Sequence, residues 1–186
     1  MKFNNQICFL TDVDHVKNDW IGGFSQLEIR LIYKYAKLPI LHLFSGNSTI
    51  GKNRVDINPN SKATIIQDVF KFIQEKEQDI EFNTILLDPI YSSEERQDLW
   101  KDKYSKLGIK KEELYIFPYD TRRTKKLWNF FIKRKPLKII IKSLNFYTIP
   151  DYDLLQGFCI YPGAYKPNRC LAIYELKYRD IKEYLE

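Results

Sequence analysis

Apolar positions fall in two rhythms along this chain, and the switches between them lay out its elements. Short continuous runs at Ile40–Phe44 (ILHLF), Phe82–Asp88 and Leu137–Ile141 (LKIII) read as buried strands, Ala63–Ile66 as a short strand, and Ile7–Leu10 as a short apolar piece. Between them the period lengthens to that of a helix. Ser25 and Glu28 stand at capping-box spacing, with Phe24 and Ile29 at staple positions, and Leu27, Leu31, Ile32 and Tyr35 follow on one face until Pro39 stops the pattern. Further helices are expected over Val69–Gln78, from Ser92 to about Lys106, and from Asp120 or Thr121 to Pro136. The last of these carries Leu127, Trp128, Phe131 and Ile132 inward. Phe158–Tyr161 and Cys170–Leu176 read as a closing hairpin around a Pro-Gly loop. Alternating strands and helices imply an α/β layered fold.

Four strands end in residues that could touch a ligand. ILHLF runs into Ser45-Gly46-Asn47-Ser48, where small residues let a ligand approach the backbone. Arg54–Pro59 is a short strand with Asp56 near its end, placed as an acidic residue must be to accept both hydroxyls of a ribose. The strand over 63–66 leads to Gln67-Asp68, and Phe82–Tyr91 (FNTILLDPIY) ends in Asp88-Pro89-Ile90-Tyr91. In open α/β sheets ligands sit beyond the carboxyl ends of the strands, which is where all four pieces fall.

Composition narrows the class without choosing a chemistry. The chain has 186 residues, 44% of them hydrophobic and 15% aromatic, which suits one globular domain over 1–186 with residues 1–38 as an N-terminal segment and covering helix. Lys plus Arg number 30 against 24 acidic residues, a net charge of +6 that is compatible with a polyanionic partner. Cys8, Cys159 and Cys170 lack C-x-x-C spacing, so neither a zinc site nor a disulfide framework is implied. Asp12, Asp14 and His15 lie close together, but such a run is more often a solvated loop, and no metal is expected. With no signal-peptide pattern and no long apolar run, the expectation is a cytoplasmic protein with reduced thiols and no membrane partner.

The pieces LHLFSGNSTIG, RVDINP, Asp68 and LLDPIY, in that order, resemble the class I S-adenosylmethionine-dependent methyltransferases. Within them the chain is most similar to enzymes that methylate exocyclic amines of nucleobases and carry an Asp/Asn-Pro-Pro-Tyr/Phe motif. The resemblance covers residues 38–92. It implies a Rossmann-like, mostly parallel sheet with a C-terminal antiparallel hairpin, and S-adenosylmethionine as cofactor. It implies that Phe44, Ser45, Gly46, Asn47 and Ser48 line the methionine end, that Asp56 binds the ribose, that Ile57 lies against the adenine, and that Asp68 and Val69 sit at the adenine edge. Asp88 and the Pro89 carbonyl would receive the hydrogens of the target amine, and Tyr91 would stack on the base. The implied substrate is nucleic acid, with adenine in DNA ahead of an adenine or guanine amine in RNA; a catalytically inactive binding module on the same fold is the alternative.

Two departures stand out. Ile90 replaces the second proline of the motif. Only Ser45–Asn53 separates the first two family strands, and only Asn58–Lys62 the next two, too little for the usual helical crossovers. The helices there must be reduced, and cover for that face has to come from the N-terminal helix or from the second subunit of a homodimer. Target contacts are expected from Ser92–Asp120, from the loop around Tyr165–Arg169, or from the basic helix face, where Trp128 and Phe130 interleave with Arg122 to Lys135 and could track phosphates.

Overall fold

The computed structural model describes residues 7–11, 23–75, 79–91, 97–161 and 168–177. In chain order the elements are β1 (Ile7–Thr11), α1 (Gln26–Tyr35), β2 (Ile40–Leu43), β3 (Asn53–Asp56), β4 (Ile65–Ile66), α2 (Val69–Glu75), β5 (Thr84–Leu87), β6 (Ile90–Tyr91), α3 (Gln97–Ser105), β7 (Ile116–Phe117), α4 (Thr121–Arg134), β8 (Lys138–Ser143), β9 (Tyr152–Tyr161) and β10 (Arg169–Leu176). A single 3-10 turn, Lys111–Glu113, precedes β7. Eight strands form one sheet in the order β1-β9-β10-β8-β5-β2-β3-β4. All neighbours are parallel except β10, which runs against both β8 and β9. The expected mostly parallel α/β sheet with a closing antiparallel hairpin is therefore present.

Strand order reverses between β2 and β5. From β2 the chain moves outward to β3 and β4; it then returns through α2 to β5 on the other side and continues to β8. That reversal is the topological switch point, where open α/β sheets hold their ligands.

The two short crossovers contain no helix, as their spacing requires. The first one substitutes for a helix by lying flat. Residues 47–52 run back along β2, Ile50 is buried, and the Ile50 carbonyl accepts from the His42 ring at 3.2 Å. Gly51 has φ of 85° and lies against the start of β2, where an added Cβ would come within 2.8 Å of the Ile40 carbonyl. The same face is covered by α1. Ser25 caps it, the Ser25 hydroxyl accepting from Glu28 N–H at 3.2 Å while Glu28 Oε2 accepts from Ser25 N–H at 2.7 Å. Phe24 and Ile32 pack on Ile40, Ile50, Leu86, Ile140, Leu171 and Ile173. The N-terminal helix thus supplies the cover the short crossovers leave out.

On the opposite face α2 and α4 close over Leu41, Leu43, Val55, Ile85, Leu87, Ile139 and Ile141. Here the expected basic-aromatic surface is not found. Phe130 is only 4% exposed and, with Leu127 and Phe131, faces the core; Trp128 packs against the same cluster. Positions 127, 130, 131 and 134 are the i, i+3, i+4, i+7 stripe, and Arg134 continues it by donating to the Ile80 carbonyl and lying over the Phe82 ring. Arg123 is likewise occupied, bonded to Asp120 and to the Glu113 and Leu114 carbonyls. What remains exposed is a stripe of Arg122, Lys125 and Lys133 without aromatics.

Asp120 caps α4, accepting from Arg123 N–H at 2.9 Å. Burial works against its charge, but the backbone and side-chain bonds from Arg123 prevail and hold the carboxyl below its ordinary value. Asp120→Ala is expected to destabilise the fold by about 1–2 kcal/mol, a fall in Tm of roughly 2–8 °C. Because the folded pKa is depressed, this difference should be full above about pH 4 and vanish as pH falls through the folded value. A thermal melt series from pH 7 to pH 3 would show it.

Candidate functional site

The carboxyl ends of β2, β3, β5 and β8 meet at one place. At the end of β2, Phe44 has φ of 59° and Gly46 of 51°. A left-handed conformation suits glycine, but for phenylalanine it costs about 1–2 kcal/mol. It is held by stacking on Tyr115, ring centroids 5.3 Å apart, and by Ser45 N–H donating to the Val55 carbonyl at 3.0 Å. Strain of this kind clusters at functional sites, and here it falls at the topological switch point.

Asp56 ties the site together from β3. Its Oδ2 accepts from Gly46 N–H at 2.7 Å and its Oδ1 from Asn58 N–H at 2.8 Å. Lys62 N–H donates to the Gly46 carbonyl at 3.1 Å, so the loop after β2 and the loop after β3 are fastened to each other. Burial pushes the Asp56 carboxyl up, and the two backbone bonds pull it partly back. Ser45 is fully buried and its Oγ has no hydrogen-bond partner among the described residues. Ser48 Oγ accepts from Ile50 N–H, and Asn47 stays partly exposed.

Asp88 follows β5. Its N–H still bonds the Leu43 carbonyl of β2 at 3.3 Å, which fixes it beside the Phe44–Ser48 loop. The residue is 6% exposed, and Oδ2 has no hydrogen-bond partner among the described residues. Burial raises its carboxyl to about 6, with Glu28 and Asp56 pushing the same way and Lys142 and Arg169 opposing. Pro89 is buried beside it, and Ile90 with Tyr91 forms β6, paired in parallel with β7. The side chain of Tyr91 lies outside the described residues, as do the acidic run at 12–15, the helix start at 92–95 and most of the loop 162–169.

Three expected cofactor residues have structural work of their own. Asp68 caps α2, accepting from Lys71 N–H at 2.9 Å. Val69, the first residue of α2, is buried in the core. Ile57 packs against a small separate cluster of Tyr104, Ile109, Leu114 and Ile116, which belongs to the segment between β6 and β7. That segment forms a cap over the strand ends. Its Tyr104 is buried and feels both Asp56 and Asp88: burial first, then those two charges, push its hydroxyl well above the ordinary tyrosine range.

Behind Asp88 lies a group of charges that the sequence reading did not select. Lys142, from the end of β8, has Nζ 3.8 Å from Asp88 Oδ1 and 3.5 Å from Glu28 Oε2. Arg169, from the start of β10, has Nε 3.6 Å from Glu28 Oε1. Glu28 is fully buried. His42 completes this face. Burial lowers it to about 3, so it is neutral, and its Nδ1–H donates to Ile50. It acts as a core histidine that pins the crossover. Among the described residues no group of three or more metal-ligating side chains comes together, and no helix is long and apolar enough to cross a membrane.

No protein-family model and no curated protein matches the chain.

Proposed function

We propose that the protein transfers a methyl group from S-adenosylmethionine to an exocyclic amine of a nucleic-acid base, with adenine in DNA as the first substrate to test and RNA bases next. The observation that carries this reading is Asp88. It is a buried carboxylate next to a proline carbonyl, with one oxygen that no described residue engages, set beside a strained small-residue loop at the switch point.

The chain's residues fit the cofactor in two respects. Ser45 Oγ, inside the loop that would face the methionine end, is a buried polar atom with no partner among the described residues. Each Asp56 oxygen accepts one backbone bond, and a carboxylate has about four lone-pair sites, so two remain for ribose hydroxyls. When bound, the cofactor would supply a methyl group already activated on a sulfonium.

The protein's part is positioning. A base amine is a weak nucleophile because its lone pair is delocalised into the ring. Asp88 Oδ2 and the Pro89 carbonyl would hold its two hydrogens and favour the positive charge that develops on nitrogen. Holding the amine in line with the sulfonium supplies the rest of the acceleration. A target within a duplex would first have to be flipped out of its stack.

The packing of Ile57 against the cap favours a second reading, a binding module that has lost its cofactor, since Ile57 is the residue expected against the adenine. Calorimetric titration with S-adenosylmethionine separates the two. Saturable one-to-one binding is expected, followed by transfer of labelled methyl to adenine-containing DNA. A folded protein that gives no heat of binding would overturn the enzymatic reading.

A further inference from the structure

We propose that Lys142 is the positioning residue of Asp88, holding its carboxylate ionised and aimed outward at the end of β5, with Glu28 of α1 as the opposing charge that sets how strongly. The inference rests on the methyl-transfer reading for its purpose, though the arrangement can be tested without it.

The geometry is specific. Lys142 Nζ donates to the Gly23 carbonyl, lies 4.6 Å from the centroid of the Phe24 ring, and stands between the carboxylates of Glu28 and Asp88. The ammonium is fixed from the α1 side and stands 3.8 Å from Asp88 Oδ1, whereas Oδ2 has no hydrogen-bond partner among the described residues.

Nothing in the packing demands charges here. Ile140, Leu86, Leu171 and Ile173 lie on the same face, and apolar residues at 28, 88 and 142 would extend that core. Buried ion pairs are seldom more stable than such a replacement. Three buried charged side chains, Glu28, Asp88 and Lys142, with the half-buried Arg169 beside them at the end of the strand that carries the motif, therefore point to a task for the charge.

Among the described residues, the groups that face Asp88 come from every surrounding element. Lys142 on β8 and Arg169 on β10 favour its ionised form. Glu28 on α1 and Asp56 on β3 disfavour it. His42 on β2 is neutral. Tyr104 on α3 keeps its proton. Arg169 shares Glu28 with Lys142, so that one carboxylate faces both cations.

The test follows the carboxyl directly. In protein carrying 13C at the aspartate carboxyls, the Asp88 resonance is assigned by its absence from Asp88→Asn and followed from pH 4 to pH 9. The wild type should titrate near pH 6. Lys142→Met should raise that midpoint by about one unit or more, a tenfold loss of carboxylate at a given pH. Lys142→Arg should restore it, and Glu28→Gln, which keeps the capping box, should move the midpoint down. These opposite directions are not what a merely structural role produces. If Lys142→Met does not fold, Glu28→Gln carries the test alone.

Midpoints that do not move in these directions would overturn the inference. In a methylation assay the acid limb of kcat should shift with each midpoint. If the midpoints move while the wild type shows neither cofactor binding nor methyl transfer, the positioning role stands and the methyl-transfer reading falls.

Discussion

Asp88→Asn is expected to lower kcat for methyl transfer by at least about a hundredfold, the scale seen when one preorganised group is removed from the charge that develops in a transition state. Affinity for S-adenosylmethionine should stay within about threefold, some 0.7 kcal/mol. The reason for the split lies in the geometry. Asp88 reaches the site from β5, whereas the loop and Asp56, which would hold the cofactor, come from β2 and β3. Asparagine keeps the shape and an acceptor oxygen but loses the charge, so it isolates the electrostatic contribution. Its amide should also leave Lys142 with Glu28 and the Gly23 carbonyl as partners, which keeps the fold intact. Wild-type activity should rise as pH passes from 5 to 7, since the Asp88 carboxyl, pushed up to about 6 mainly by burial, must lose its proton before it can accept from the amine. Full activity in Asp88→Asn would remove Asp88 from the chemistry.

How far this arrangement could be read from the sequence differs from residue to residue. The frame was legible because local signals agree with the tertiary structure. The Ser25–Glu28 capping box starts α1 where its spacing says, and the short stretch between ILHLF and RVDI leaves no room for a helix, which is what the flat crossover shows. The loop after β2, Asp56 and Asp88 were also legible as strand ends, and the sheet brings them together at one switch point.

The charges behind them were passed over for two reasons. Glu28 reads as a capping residue, although it lies four residues from both Phe24 and Ile32 and so shares their buried face. Lys142 falls just past LKIII, yet alternation places it on the face of Ile140. In both cases the period was available and the residue's charge concealed it. The cap is different. The helix to about Lys106 is legible, but 105–113 reads only as a charged stretch, because Ile109, Leu114 and Ile116 find partners across the cap and in Ile57 and Ile90, contacts that no local pattern encodes.

The second large effect is expected at Asp56, and it should divide the other way. Burial raises this carboxyl even with two backbone bonds in place, so the charge itself is no source of stability. What Asp56→Ala removes is the acceptor for Gly46 N–H and Asn58 N–H, both of which lie in buried residues. Orphaned buried donors cost about 1–3 kcal/mol each, so the variant should lose roughly 3 kcal/mol in urea denaturation. The loop after β2 would no longer be tied to β3, and the strained Phe44 would lose part of what holds it. Affinity for S-adenosylmethionine should fall at least about thirtyfold, near 2 kcal/mol, from the loss of both the ribose acceptors and the loop's shape. Asp56→Asn keeps one acceptor and turns an amide N–H toward the other donor, so it should fall between wild type and alanine in stability while binding cofactor almost as poorly as alanine. A stability loss without a change in affinity would mean that Asp56 only fastens the two loops, and the cofactor reading of β3 would have to be abandoned.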